Sequence, residues 1–306
     1  MSIFKERLQQ IVSSGEILTD EPMKKHTTFR IGGNADFLVY PKKEEVAPIL
    51  ALAKEHGVPV TIVGNGSNLL VGDGGIRGLV LVITKGADRI RVESSANGKT
   101  SIVAEAGALL SKLAAEAARH GLTGLEFAAG IPGTVGGAVV MNAGAYGGEI
   151  KDVIVRATVL TPEGEMLQLS AEELELSYRH SCIPEHGYIV LEAEFALAQG
   201  DEAQIRATME DFKGRRIDKQ PLEYPSAGST FKRPEGYFAG KLIQDAGLRG
   251  YRVGGAEVSE KHCGFVINKG DATAADVLQL IEDVKAKVQE EFQVELEPEV
   301  KMIGEF

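Results

Sequence analysis

The sequence predicts an α+β protein built in several parts, and three observations carry that reading. Residues 85–198 are rich in short β-branched runs separated by turn signals. From Asp201 the texture changes to charged helix, proline-rich loop and a terminal βα unit. Within the first of these regions Leu125–Ile150 is dense in glycine, nearly uncharged and without a 3.6-residue stripe. Glycine is costly inside a helix, and this stretch is too apolar for a flexible linker. It is either a bend packed against a bound molecule, with amide N–H groups free to hold it, or a set of tight turns between buried strands.

The chain has 306 residues, 43% of them hydrophobic, which suits two or three domains with real cores. Its 36 glycines exceed the average of about 7%, and they cluster at 64–86 and 121–148. The net charge is −11 and no Lys/Arg-rich run exists, which argues against nucleic acid as a partner. Cys182 and Cys263 match no metal or CxxC spacing and read as small buried side chains; no metal is expected. The N-terminus is charged within seven residues and is not a signal peptide. The longest apolar run, Leu79–Ile83, is too short to span a bilayer. A cytoplasmic protein is expected.

In chain order, residues 3–13 form a short amphipathic helix through Ile3, Phe4, Leu8, Ile11 and Val12. Thr27-Thr28-Phe29 reads as a strand, Gly32-Gly33 as a turn, and Ala35–Tyr40 as a second strand stopped by Pro41. Lys43–His56 is helical, with Val46, Ile49, Leu50 and Ala53 on one face and Gly57 as its stop. Val58–Val63 is a strand that runs into GNGSNLLVGDGG (64–75). Gly64, Gly66 and Ser67 suit a turn whose N–H groups converge on an anion, though a plain hairpin turn has the same composition. G-x-G-x-x-G fails at Leu69, and a Walker A loop ending at Gly98-Lys99-Thr100 fails at Glu93.

Leu79–Ile83, Ile90–Glu93 and Ser101–Ala104 are strands, and Leu109–His120 is a helix closed by Gly121. Beyond the glycine stretch, Val153–Thr161 and Met166–Leu169 form a hairpin, Ala171–Leu174 a helical turn and Tyr188–Phe195 a strand. Ala203–Arg216 is a charged helix, 219–236 a loop and Tyr237–Ala246 a helix. Gly264–Asn268 is a strand. Thr273–Glu291 is a long helix opened by a capping box from Thr273 to Asp276. Glu299–Ile303 is a last strand.

Six segments, HTTFRIGG (26–33), GNGSNLL (64–70), GIPGTVGGAVVMNAGAYG (130–147), LSYRHS (176–181), PSAGSTFKRP (225–234) and LEPEV (296–300), resemble the UDP-N-acetylenolpyruvoylglucosamine reductase family. They occur in the family's order over nearly the whole chain. The resemblance implies a two-part FAD-binding module of the vanillyl-alcohol-oxidase type plus a C-terminal α/β substrate domain. The parts are 1–84, 85–213 and 214–297, with the tail 298–306 free to return to the first. The chain looks like the shorter form, without the insertion that carries a tyrosine loop.

By that resemblance FAD is non-covalent, since neither loop holds a histidine. Gly64, Asn65, Gly66, Ser67, Asn68 and Leu69 would hold its pyrophosphate. Ile131, Pro132, Gly133, Thr134, Gly136, Gly137 and Ala138 would pack against flavin and phosphates. NADPH would be the co-substrate and a UDP-sugar the substrate, with no obligate protein partner. Arg179, Ser229 and Glu299 match the catalytic positions: Arg179 on the substrate carboxylate, Ser229 as proton donor, Glu299 supporting the enolic form as an acid or through hydrogen bonds. Lys219 matches the family's phosphate-side lysine, and Tyr178 is expected to line the substrate site. A flavin oxidase of the same fold and a non-enzymatic nucleotide-binding module are the competing readings.

Overall fold

The structure is a computed structural model that describes residues 2–13, 16–94 and 100–306. The Gly98-Lys99 pair weighed above as a phosphate loop lies outside the described residues. The chain divides into two compact units. Met1–Leu18, Leu38–Asn65 and Leu79–Arg216 make the first; Thr19–Phe37, Gly66–Gly78 and Ile217–Phe306 make the second.

The chain opens with α1 (Ser2–Ile11), β1 (Leu18–Pro22), β2 (Asn34–Val39), α2 (Val46–Glu55), β3 (Val60–Val63), β4 (Leu69–Val71) and β5 (Ile76–Val82). Then come β6 (Ile90–Ser94), β7 (Thr100–Glu105), α3 (Leu110–Arg119), β8 (Leu122–Thr123), α4 (Val135–Val140), β9 (Gly144–Ala145) and β10 (Gly148–Glu149). β11 (Ile154–Leu160), β12 (Met166–Ser170), β13 (Ile189–Ala196), β14 (Ala198–Gln199) and α5 (Glu202–Lys219) follow. The last elements are α6 (Ala239–Asp245), β15 (Arg252–Val253), β16 (Ala256–Val258), β17 (Val266–Asn268), α7 (Ala274–Phe292) and β18 (Lys301–Ile303).

The first unit centres on a five-stranded sheet in the order β12-β11-β13-β7-β6, antiparallel throughout. Alternation puts Ala157, Val159, Ala193 and Phe195 inward. The predicted hairpin is β11–β12, turned at Gly164, where φ is +89°. Helix α3 buries Leu110, Leu113, Ala114 and Ala117, the stripe its spacing predicts, and ends at Gly121 with φ +63°. β3 pairs in parallel with the second half of β5.

Two sequence expectations need correction. Thr27–Phe29 is not a strand but a turn: Arg30 N–H donates to the Thr27 carbonyl at 3.2 Å, and Thr27 Oγ1 donates to the Ile31 carbonyl at 3.3 Å. Two β-branched residues and an aromatic mimic a strand there, but Phe29 is buried in the core of the second unit. The glycine stretch also contains a six-residue helix, α4, despite Gly136 and Gly137. Packing overrides propensity: a Cβ on Gly136 would lie 3.0 Å from the Ala106 side chain, so glycine lets the helix approach that backbone.

The second unit is built around α7, whose Val277, Ile281, Val284 and Val288 are fully buried with Phe29, Leu70, Ile243 and Leu296. Thr273 and Asp276 form the predicted capping box. A further cap comes from far away: Asp73 accepts from the backbone N–H of Ala274 at 2.8 Å and of Ala275 at 3.0 Å. β15, β16 and β17 form a small antiparallel sheet, of which only β17 was expected. β18 pairs in parallel with β4, Lys301 to Leu69 through Ile303 to Val71.

Candidate active site

In the first unit, strand β3 delivers Gly64 and Asn65 against the 131–138 segment. Asn65 Nδ2 donates to the Pro132 carbonyl at 2.6 Å. A Cβ on Gly64 would come 2.5 Å from Thr134 Oγ1, so a side chain there would force Thr134 aside. Leu110 N–H donates to the Gly133 carbonyl at 3.0 Å, and Val135 and Gly136 N–H donate to Ala108 and Ala106 carbonyls at 2.8 Å each. Those last two amides are therefore occupied rather than free. Open space remains over Gly137, where a Cβ would meet only Thr134 Oγ1 at 3.7 Å. Such a cradle, closed to side chains on one side and open on the other, fits a flat ligand at backbone distance.

Arg179 also belongs to the first unit. It sits in a two-residue turn in which Ser177 and His180 exchange backbone hydrogen bonds at 3.2 Å. Its φ of +55° is uncommon for a non-glycine residue and marks strain held by the surroundings. Its guanidinium stands 5.0 Å from the centre of the Tyr178 ring and donates to the Gly144 carbonyl at 3.5 Å. Tyr178 is exposed. Asn142 anchors the turn: its Nδ2 donates to the Ser177 carbonyl at 3.0 Å and to Glu149 at 2.6 Å, and its Oδ1 accepts from Lys151 N–H at 2.9 Å. Asn142 is fully buried, and a buried amide must be satisfied. Asn142 is the one amide side chain in Leu125–Ile150, which is the signal for it that sequence reasoning missed.

Arg216 was also missed. Its side chain packs on Gly130, 3.3 Å from where a Cβ would be. Burial lowers its affinity for the proton. One turn earlier Phe212 stacks on Tyr146 at 4.5 Å.

In the second unit, Gly66 takes φ +62°, and a Cβ there would overlap the His26 carbonyl at 2.1 Å. The next residues run into β4 beside the C-terminal strand: Asn68 Nδ2 donates to the Glu299 carbonyl at 3.2 Å, and Lys301 N–H donates to the Asn68 carbonyl at 2.9 Å. Ser67 and Leu69 flank Asn68 and are half-buried.

Ser229 and Glu299 come together here. Glu299 N–H donates to the Thr230 carbonyl at 2.8 Å, and Phe231 bridges Pro298. Thr230 is buried, Ser229 exposed and Glu299 half-buried, so Ser229 faces away from the core. Thr28 Oγ1 donates to the Ser226 carbonyl at 2.7 Å, tying the HTTF turn to the same loop. Lys219, at the end of α5, is exposed. Among the described residues no cluster of His, Cys, Asp and Glu is placed to hold a metal. Both cysteines are free and buried, and burial pushes both thiols up.

Comparison with known proteins adds the following. Residues 35–170 match a family described as FAD binding domain, and residues 220–303 match the C-terminal domain of UDP-N-acetylenolpyruvoylglucosamine reductase. The UDP-N-acetylenolpyruvoylglucosamine reductase of Agathobacter rectalis is 62% identical over 297 residues, 95% of each chain. That of Lachnoclostridium phytofermentans is 57% identical over 305 residues, 99% of this chain and 98% of the relative. The crystal structure of the UDP-N-acetylenolpyruvylglucosamine reductase of Thermus caldophilus is similar with a TM-score of 0.75 at 36% identity, covering 94% of this chain and 98% of that one.

Proposed function

The chain belongs to the UDP-N-acetylenolpyruvoylglucosamine reductase family, and we propose that it performs that family's reaction. It is an FAD-dependent oxidoreductase that reduces the enolpyruvyl group of UDP-N-acetylglucosamine enolpyruvate to UDP-N-acetylmuramate with NADPH, for peptidoglycan synthesis. The flavin oxidase reading gives way to it.

The residues present fit FAD: Gly64 and Thr134 form a cradle that a Cβ would fill, and Asn65 and Pro132 join its two loops. Gly64 through Leu69 would hold the pyrophosphate, and Ile131 through Ala138 would lie along the flavin. When bound, FAD supplies a hydride that originates in NADPH.

Hydride reaches the terminal carbon of the enol ether, negative charge develops on the carboxylate, and the inner carbon takes a proton. Arg179 holds that carboxylate through its guanidinium fork. Ser229 donates its Oγ proton to the inner carbon and recovers one from solvent. Glu299 supports the enolic carboxylate, and Tyr178 and Lys219 bind the substrate. The one observation that carries the assignment is the 2.8 Å bond from Glu299 N–H to the Thr230 carbonyl, which joins the Glu299 backbone to the residue after Ser229.

The FAD-binding parts are assigned to 1–84 and 85–213 and the substrate domain to 214–297. Pairing of β18 with β4 supports grouping the tail 298–306 with the first part. No helix among the described residues is long and apolar enough to cross a membrane. Cytoplasmic action on a UDP-sugar, without an obligate protein partner, completes the proposal.

The test is a visible spectrum of the FAD-loaded protein. NADPH bleaches the flavin bands and the enolpyruvyl nucleotide restores them. Ser229→Ala keeps the bleaching and slows recovery by about 100-fold or more. Recovery within severalfold of wild type removes Ser229 from its role; recovery driven by air and not by the nucleotide restores the oxidase reading.

A further inference from the structure

We infer that His262 is a diphosphate-binding residue: its Nε2–H, together with the Lys219 ammonium, receives the diphosphate of the nucleotide-sugar. The inference rests on the reading of the chain as a reductase of a UDP-sugar.

Its basis is the turn Ser259–Gly264. Ser259 Oγ accepts from the backbone N–H of Lys261 at 3.2 Å and of His262 at 3.3 Å. Gly264 N–H donates to His262 Nδ1 at 3.1 Å. Nδ1 is thus an acceptor, the neutral ring carries its hydrogen on Nε2, and that N–H is the one ring donor left, with no hydrogen-bond partner among the described residues. The ring lies flat on backbone because Gly264 and Gly240 leave room: a Cβ on either would sit 2.9 and 3.2 Å from His262 Cε1. Phe265 meets the ring edge-on at 5.1 Å.

The same turn is tied on two sides to residues already placed in the substrate site. Lys261 Nζ donates to the Ile217 carbonyl at 2.7 Å, which holds it against the last residues of α5, where Lys219 lies. On the other side Thr230 N–H donates to the Gly264 carbonyl at 2.8 Å, one residue from Ser229. His262 therefore stands on a bridge between the lysine assigned to the phosphates and the serine assigned to the proton.

Charge agrees with this placement. Burial holds the His262 ring below its ordinary proton affinity, against a backbone hydrogen bond that raises it, and the Lys219 charge adds a smaller push downward. Two donors that repel each other as cations, and that share no carboxylate hydrogen-bonded or ion-paired to either among the described residues, suit an anion between them. A neutral imidazole donor beside the exposed Lys219 cation gives a phosphate two hydrogen bonds without burying a charge. Within the turn Glu260 is directed elsewhere: its side chain lies against Gly250, and its carbonyl accepts from the Arg249 guanidinium.

The test uses the FAD-loaded enzyme and UDP-N-acetylglucosamine, a diphosphate diester that keeps one charge state from pH 6 to 8. Calorimetric titration should show the dissociation constant rising about 10- to 100-fold in His262→Ala and His262→Asn. His262→Gln should recover most of the loss, because its amide N–H reaches the Nε2 position. Affinity for uridine, which lacks phosphate, should not change between these variants, and KM for the enolpyruvyl nucleotide should rise with kcat nearly constant. Equal affinity of wild type and His262→Asn for UDP-N-acetylglucosamine overturns the inference. So does loss of FAD from the variants with nucleotide-sugar affinity intact, which would assign the ring to the cofactor. Failure of wild type to bind any UDP-sugar would instead strike the functional reading beneath it.

Discussion

Asn65 and Pro132, 67 residues apart, are joined by a 2.6 Å hydrogen bond from the Asn65 amide to the Pro132 carbonyl. It is the polar link between the two loops assigned to FAD. Proline offers a carbonyl and no N–H, so the bond has one possible direction and only a donor at 65 can make it. Asn65→Ala and Asn65→Asp should both raise the dissociation constant for FAD by about tenfold. Titration of the apoprotein with FAD, followed by flavin fluorescence, checks this; unchanged affinity in both variants would show that the link does not order the loops.

Gly64→Ala should lower stability by about 1–3 kcal/mol, because the new methyl would stand 2.5 Å from Thr134 Oγ1. Thr134 is buried and β-branched, so it turns aside at a cost. Removing the obstruction should remove the penalty: Gly64→Ala with Thr134→Ala should sit closer to Thr134→Ala alone than the first change sits to wild type. Urea midpoints of the four proteins give the comparison. Simple additivity would mean that the clash is relieved some other way.

Asp73→Ala should cost about 1–2 kcal/mol. Its carboxylate accepts from the first two amides of α7 and places a negative charge at the helix N-terminus. Asp73→Asn should recover part of the loss, since the hydrogen bonds can persist while the charge is gone. Thermal unfolding distinguishes the three. A full-strength Asp73→Ala would leave the Thr273–Asp276 box as a sufficient cap.

Stability should fall in acid through Glu192. Burial alone raises its pKa, but Arg91 and Lys43 outweigh that and hold the carboxyl below its ordinary value of 4.5. Arg91 binds both its oxygens at 3.0 Å, and Lys43 lies at 2.6 Å. The unfolded chain binds the proton more readily, so this stabilisation is complete above pH 4.5 and is lost as pH falls through the folded-state value. Glu192→Gln should be less stable at pH 7 by about 1–3 kcal/mol, and the gap should close as pH falls below the folded-state value. Chemical denaturation across that range tests it; a pH-independent gap would point to packing instead of charge.

Local pattern made much of this architecture legible. The stripes of α3 and α7, the hairpin at Gly164 and the box at Thr273 all follow from spacing and turn chemistry within a dozen residues. What escaped depends on distant partners. Thr27–Phe29 has strand-like residues, and nothing nearby tells that the His26 carbonyl will pass over Gly66. Asp73 reads as one more loop acid until the start of α7 lies on it. β15 and β16 are too short to show alternation. At the candidate site, the motif residues were visible as motifs. Their supports, Asn142 beneath Arg179 and the Ser259–Gly264 turn beside Ser229, were not, because a supporting role is defined by which backbone a side chain meets.

The pairing of β4 with β18 bears on the order of assembly. Among the described residues, 69–71 pair as a strand only with 301–303, so during translation they leave the ribosome long before that edge can be closed. Most of the first unit, all synthesised by Arg216, is available to fold while the second still lacks α7 and its final strand. Closing so long a loop is slow, and the waiting edge of β4 is where a nascent chain would need shelter from neighbouring polysomes.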